Sequence, residues 1–520
     1  MDDLRLAEPL AALSQVTDLG MGQPPETAVR TCLLATALAR RMNVDERDIG
    51  DIYYTTLLQH VGCTAYAHET AVLFGSDDIA LRADGVKVDF ASPREVLSFL
   101  LLDIARDAPP FTRIRAAATA ARMGSTFDEM LHRSSCEVAV RVAGRLDFNT
   151  NVQNGLNHLF ERWDGKGVPS KVSEDDIALP ARFAQVASQA VLFDRLGGPD
   201  VAIETVRRRA TSVLDPAIAE AFTIHGRSLL AELDAADAAV AIIDAEPNPH
   251  YRVPDARLDK IARAFADTVD LKSPWTHGHS TGVARLAASA ASMLGLPEAE
   301  VANIRRAALL HDLGRAGIPN GILDKPGPLT STEWEQVWLH PYHSERILSC
   351  SPTLAPLAPL AGMHHERLDG SGYYRHYPAA MIPLSSRLVA VANMYQALTE
   401  ERPYRPALSA QAAAQRLSAE ASAGRLDPEA VNSVLRVAGH SGERTGRQWP
   451  AGLTEREVQV LRLAARGLSN RQIGHELFIS PKTADHHIQH IYAKIGVSTP
   501  AGAAIFAMEH DLIHEDSPGK

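Results

Sequence analysis

Ala307-Ala308-Leu309-Leu310-His311-Asp312-Leu313-Gly314 is the stretch that decides the reading of this chain. An apolar run with helical character delivers a His and an Asp side by side. His279 lies upstream, and His340 and the pair His364-His365 lie downstream. Neutral imidazoles beside one carboxylate are how proteins hold Mn, Fe or Zn. An Asp flanked by that many His can bridge two metals, and two-metal sites hydrolyse phosphate esters. The middle of the chain is therefore expected to hold metal and to act on, or bind, a phosphodiester.

The local pattern predicts three helices for these ligands. One opens at His279 and runs through Val283, Leu286, Met293 and Leu294. The next spans Asn303 to Leu313. A third spans Glu333 to Leu348, after the start signal Thr330-Ser331-Thr332, and carries His340. Ligands converging from several helices are a common way to build a dinuclear centre.

The chain has 520 residues, 45% of them apolar and 6% aromatic. That length predicts two to four domains of ordinary globular composition. The net charge of −11 argues against a broadly basic nucleic-acid protein, although one small domain could still bind DNA. Cys32, Cys63, Cys136 and Cys350 are far apart and form no C-x-x-C pair, which excludes a zinc ribbon or redox motif. The first residues show no charged segment followed by an apolar core and no run of 18 apolar residues exists, so no signal peptide, no membrane association and a cytoplasmic location are expected.

Breaks at Glu246-Pro247-Asn248-Pro249 and at Gly439 to Gly452 divide the chain into 1–245, 250–440 and 450–515. The first two parts read as divergent copies of one unit. Asn43 through Gly62 lies against Gly295 through Gly314 at an offset of 252. Glu161-Arg162-Trp163-Asp164-Gly165-Lys166-Gly167 lies against Glu366-Arg367-Leu368-Asp369-Gly370-Ser371-Gly372 at an offset of 205. The first copy thus carries about 47 extra residues, some of them in a long loop expected over Asp77 to Pro93. On this alignment Thr27, Gln59 and His60 stand for His279, His311 and Asp312, while Leu159 and Phe160 stand for His364 and His365. Apolar side chains cannot ligate metal, so the first copy is expected to be structural or dimerising. His60 and His132 remain as possible ligands, with the reading as ordinary helix residues preferred.

His311-Asp312-Leu313-Gly314-Arg315-Ala316-Gly317-Ile318-Pro319 resembles the HD-GYP domain family. So do Leu323-Asp324-Lys325-Pro326-Gly327-Pro328-Leu329-Thr330, Trp334, Leu339-His340-Pro341, His364 through Tyr373, and Arg402-Pro403-Tyr404-Arg405. The resemblance covers roughly 260–440 and implies an all-α fold, two or three Fe or Mn ions, and hydrolysis of cyclic di-GMP to linear products. It implies one metal on His279, His311, Asp312 and the residue at 393. A second metal would sit on His340, His364 and His365, with Asp312 bridging. Arg315 would stand in for the family's phosphate-binding Lys.

This chain departs from the family in four places. Asn393, in Ala392-Asn393-Met394-Tyr395-Gln396-Ala397, offers one neutral carbonyl oxygen where the family has Asp, which should weaken the first metal. Tyr374 replaces the Pro of the signature and should loosen that loop. Arg315 keeps the Lys charge with different geometry. Trp275 stands where three-metal members place a Glu, so at most two metals are expected.

From Leu453 onward the helix signals are dense. Thr454 with Glu457 and Ser469 with Gln472 are capping boxes. Ser480-Pro481 and Thr499-Pro500 start two further helices. In the third helix Ala484, Ile488, Ile491 and Ile495 are expected inward, leaving Lys482, Asp485, His486 and Gln489 outward, as a recognition helix requires. The string Leu453-Thr454 through Lys494-Ile495-Gly496-Val497 resembles the LuxR/GerE family, whose domains bind double-stranded DNA as dimers and regulate transcription. The resemblance puts Arg471, Lys482 and Lys494 on phosphate and Thr483 beside them. Asp485 is an acid on the reading face that could accept from cytosine.

The expected architecture is therefore all-α, with two tandem HD-type domains followed by a four-helix LuxR-type domain, and a homodimer overall. The leading functional expectation is a transcription regulator whose metal-binding middle domain senses a cyclic dinucleotide-type ligand. The alternative is an active metal-dependent cyclic di-GMP phosphodiesterase carrying a DNA-binding tail, with Asp312 and Arg315 as catalytic residues. A scaffold in which both HD units only dimerise is the third.

Overall fold

The computed structural model describes residues 4–75, 77–90, 92–105, 110–123, 125–439 and 449–513. The fold is all-α. Among the described residues, the named strands are a single antiparallel pair, in which Leu4 faces Val253 and Arg5 faces Arg252. Packing divides the chain into two units, Met1–Arg257 and Leu258–Lys520. The first boundary expected from sequence, at Pro247 and Pro249, therefore falls inside the first unit, because the strand pair ties residues 252–253 to the N-terminus. Most of the second expected linker, 440–448, lies outside the described residues.

Within the first unit, helices Thr27–Arg41, Glu46–Leu57 and Leu179–Gly197 enclose a core of Leu34, Leu38, Ile49, Ile52, Phe183 and Val186. The extra residues of this copy are mainly helical. Ala67–Phe74, Asp78–Gly85, Pro93–Leu102 and Pro110–Met123 surround a small core of Phe74, Phe99 and Ile104. The long loop expected over Asp77 to Pro93 is corrected here. Asp77 accepts from the backbone N–H of Ile79 and Ala80, and that cap starts a helix in charge-rich sequence.

The second unit repeats the same elements. Helix His279–Met293 corresponds to Thr27–Arg41 at the offset of 252, and Leu384–Thr399 corresponds to Leu179–Gly197 at the offset of 205. Two glycines mark the shared packing. A Cβ on Gly314 would lie 2.0 Å from the carbonyl oxygen of His340, and a Cβ on Gly62 would lie 2.0 Å from that of Ser135. The first pair is separated from the second by 252 and 205 residues, the two offsets read from sequence. The same backbone approach thus occurs in both units, and the extra residues fall between Gly62 and Ser135.

One helix differs from expectation. The segment Glu333 to Leu348 is two helices, Ser331–Trp338 and His340–Ser349, meeting at Leu339. Thr330 and Glu333 form a capping box at the start of the first, and His340 with Pro341 opens the second. The break turns His340 inward at a helix start.

The C-terminal segment forms the four expected helices, Glu455–Ala465, Asn470–Leu477, Pro481–Ile495 and Pro500–Glu509. Both capping boxes are made, and Ser480 accepts from the backbone N–H of Thr483. Such caps stabilise each short helix by about 1 kcal/mol. No single described helix is long and apolar enough to cross a membrane.

Candidate metal centre and DNA-reading helix

The second unit brings its candidate ligands together from five places. His279 is the first residue of its helix. His311 and Asp312 follow the end of Glu298–Leu310. His340 opens its own helix, His364-His365 follow Ala358–Gly362, and Asn393 sits within Leu384–Thr399. His279, His311, Asp312, His340, His364 and Asn393 are all buried.

Asp312 is the hinge of the arrangement. Its Oδ2 lies 3.4 Å from Nε2 of His311 and 3.8 Å from Nε2 of His279. Its Oδ1 lies 3.3 Å from Nε2 of His340 and 3.5 Å from Nε2 of His364. Donor atoms of His279, His311 and Asp312 fall within 4.8 Å of one another, as do those of His340, His364 and His365.

The hydrogen bonds behind the ligands assign the imidazole protons. Nδ1 of His311, His340 and His364 lies 2.7, 2.6 and 2.6 Å from the backbone oxygens of Ala308, Val337 and Ala361. A carbonyl can only accept, so each Nδ1 carries hydrogen and each Nε2 presents a lone pair inward. In His279, Nδ1 donates to Oε2 of Glu400 at 2.8 Å. Its Nε2 then faces the Oδ1 of Asn393 at 3.0 Å. Nε2 of His340 and His364 face each other at 3.1 Å, and Nε2 of His311 is buried without a hydrogen-bond partner. Lone pairs aimed at one another and at a carboxylate repel unless a cation lies among them. The donor set therefore fits divalent metal.

The protonation states agree. Burial lowers His340 and lowers His311 to about 3, against the opposing pull of Asp312. Burial beside His364 and His340 holds His365 well below its usual value. These rings stay neutral at pH 7, the form that binds metal. Burial also opposes the charge on His279, but the Glu400 carboxylate outweighs it and raises the value. Burial likewise opposes ionised Asp312, but the Arg315 guanidinium, 2.7 Å from Oδ2, and His311 hold it well below the carboxylate range.

A cavity of about 250 Å³ opens over the centre. Arg315, Arg367 and Arg402 supply positive charge to its wall. Two residues to which the sequence assigns no role support His279. Glu400 orients His279, and Arg402 donates to Glu400 at 2.8 Å and to the backbone oxygen of Trp275. Their signal in the sequence is the run Arg402-Pro403-Tyr404-Arg405, which begins two residues after Glu400. The loop bearing Tyr374 is tied rather than loosened. Tyr374 and Arg375 each donate to Glu345 at 2.7 Å, and Glu366 accepts from the backbone N–H of Arg375 and Tyr377.

In the first unit the equivalent positions make unrelated contacts. Thr27 donates to the backbone oxygen of Pro24. His60 is half-buried and lies beyond the end of Glu46–Leu57, not within a helix, and desolvation lowers its value to about 4. His132 lies 4.0 Å from the Phe160 ring.

On the C-terminal helix Pro481–Ile495, Lys482, Thr483, Asp485, His486 and Gln489 are exposed together. Ala484, Ile491 and Ile495 are buried, and Ile488 is half-buried. Arg471 is exposed on the preceding helix. Asn470 donates to Asp485 at 2.9 Å, which holds that carboxylate in place on the outer face. Lys494 donates to Glu457 at 2.7 Å, so a phosphate contact there has to share this lysine.

Comparison with known proteins agrees with both halves of this geometry. Residues 263–430 match the HD domain family, and residues 451–507 match the bacterial regulatory proteins of the luxR family. The 3'3'-cGAMP-specific phosphodiesterase 3 of Vibrio cholerae is 32% identical over 406 residues, covering 78% of this chain and 88% of that protein. A cyclic di-GMP phosphodiesterase of Thermotoga maritima is 41% identical over 164 residues, covering 31% of this chain and 44% of that protein. A crystal structure of the cyclic GMP-AMP-specific phosphodiesterases of V. cholerae superposes with a TM-score of 0.58 at 28% identity, covering 84% of this chain and 98% of that one. The chain therefore belongs to the HD-GYP phosphodiesterase family of HD-domain proteins, with a C-terminal LuxR-type domain added.

Proposed function

We propose that the chain is an active metal-dependent phosphodiesterase for cyclic dinucleotides, with a LuxR-type domain that binds double-stranded DNA. The observation that carries this reading is Asp312, which gives one carboxylate oxygen to each of two histidine groups. His279, His311, Asp312 and Asn393 would hold one ion, and Asp312, His340, His364 and His365 the other. Bound Fe or Mn would supply Lewis acidity toward a phosphoryl oxygen and lower the pKa of water. Arg315, against Asp312 and on the cavity wall, is placed to pair with a phosphate oxygen of the substrate. Arg367 and Arg402 add positive charge to the same wall, which suits a dianionic cyclic dinucleotide.

The similar proteins named above are phosphodiesterases, and this supports turnover over ligand sensing without hydrolysis. It also brings a mixed cyclic GMP-AMP beside cyclic di-GMP as candidate substrates. Asn393 argues for a weaker first metal position rather than for loss of the centre. The LuxR-type domain would act as a dimer on DNA in the cytoplasm, where it would couple dinucleotide level to transcription. The test is to incubate the full chain, loaded with Mn or Fe, with 3'3'-cyclic GMP-AMP and with cyclic di-GMP. Linear dinucleotide from at least one, absent with Asp312→Ala, is expected. Intact substrate in both, from protein shown to carry metal, would overturn the reading.

A further inference from the structure

Beside the metal centre lies a row of aromatic rings that neither metal binding nor phosphate binding uses. Trp334 and Trp338 stand one helical turn apart on Ser331–Trp338, so they share a face. Both are exposed, at 41% and 44%, although large indoles are normally well covered. Their ring centroids are 6.2 Å apart at 31°. Trp338 is 6.2 Å from Tyr373 at 37°, and Tyr373 stacks on His365 at 4.5 Å and 22°. The row therefore runs outward from a metal-ligand ring to the surface without interruption. Trp334 lines the same cavity as His340, His364, His365 and Arg315.

We infer that Trp334 and Trp338 form a stacking platform for a purine base of the dinucleotide, a base subsite outside the phosphate-binding centre. The inference rests on the phosphodiesterase reading and adds to it the part of the substrate that is held. A nucleotide whose phosphate lies at the histidines has its base displaced to one side by the ribose. The aromatic row occupies one such side, and the arginines lie on the cavity wall with the phosphate-binding groups. An exposed indole face is flat, apolar and polarisable, which suits any purine and discriminates little between guanine and adenine. Helix Ser331–Trp338 is held by the capping box at Thr330 and by Lys325, which donates to both oxygens of Glu333 at 2.9 and 2.7 Å. The platform is thus pre-positioned on a fixed helix.

The test compares Trp338→Ala, Trp334→Ala and Trp338→Phe in the full chain. Two substrates are used, 3'3'-cyclic GMP-AMP and its abasic analogue, in which hydrogen replaces both purines. The alanine variants should raise KM for the dinucleotide about tenfold, the loss of one base stack, with little change in kcat. Trp338→Phe should recover most of the affinity, and hydrolysis of the base-free diester should not change. Binding is read separately as quenching of tryptophan fluorescence by the dinucleotide in metal-stripped protein, whose half-saturation each alanine variant should raise about tenfold. Wild-type KM and wild-type quenching in both alanine variants would overturn the platform and point to a protein partner on this face. If no variant hydrolyses any diester but quenching is weakened as described, the platform stands and the phosphodiesterase reading falls.

Discussion

Nε2 of His279 lies 3.0 Å from Oδ1 of Asn393, with the ring fixed from behind by Glu400. In the proposed centre an uncharged oxygen would therefore complete the first metal position. Asn393→Asp adds one negative charge without changing the side-chain length. It is expected to tighten that position about tenfold, one decade for about 1.4 kcal/mol. Metal content per chain after dialysis and the hydrolysis rate at limiting metal should both rise. Equal content and equal rate would show that Asn393 is not a ligand.

Glu400 fixes the tautomer of His279. Glu400→Leu keeps a similar bulk but removes the acceptor of the Nδ1–H. Loss of such a partner typically costs 10–100-fold in metal affinity or activity. Titration of metal-stripped protein with Mn, followed by turnover, should show a loss in that range that excess Mn partly restores.

Gly314 is expected to be intolerant of any side chain. A Cβ there would meet the His340 carbonyl oxygen at 2.0 Å, so Gly314→Ala must displace His340 from Asp312. The cost should be about 1–3 kcal/mol of stability, together with loss of hydrolysis. Gly62→Ala makes the same clash with Ser135 in the first unit. It should lower the thermal midpoint similarly but leave per-molecule activity of the folded fraction near wild type. Loss of catalysis with Gly62→Ala would show that the first unit contributes to the reaction.

Lys482 is exposed at the start of the proposed recognition helix. Lys482→Ala should weaken duplex binding across sequences and reduce the slope of log affinity against log salt by about 1. Lys494→Ala should have a smaller effect, because Lys494 is already paired with Glu457. Binding measured by anisotropy at several salt concentrations separates the two.

The sequence by itself determined the fold class, the repeat and the ligand types. His311-Asp312, the paired offsets and the capping boxes are local signals, and local signals survive being read without a partner. It also exposed the substitution at Asn393, because that residue falls inside a motif. What the sequence could not decide depends on residues distant in the chain. The break at Leu339 swings His340 inward, and its neighbours in the chain do not show that Gly314 would press on its carbonyl. Glu400 reaches His279 across 121 residues, and Glu345 ties down the loop at Tyr374 across 29. Whether Asp312 faces one histidine group or two depends on how four helices pack. Residue types were legible because chemistry is carried by side chains. Their division into two groups was implied by the family motifs, and tertiary packing supplied the distances, which bring donor atoms from distant segments to within 4.8 Å of one another in each group.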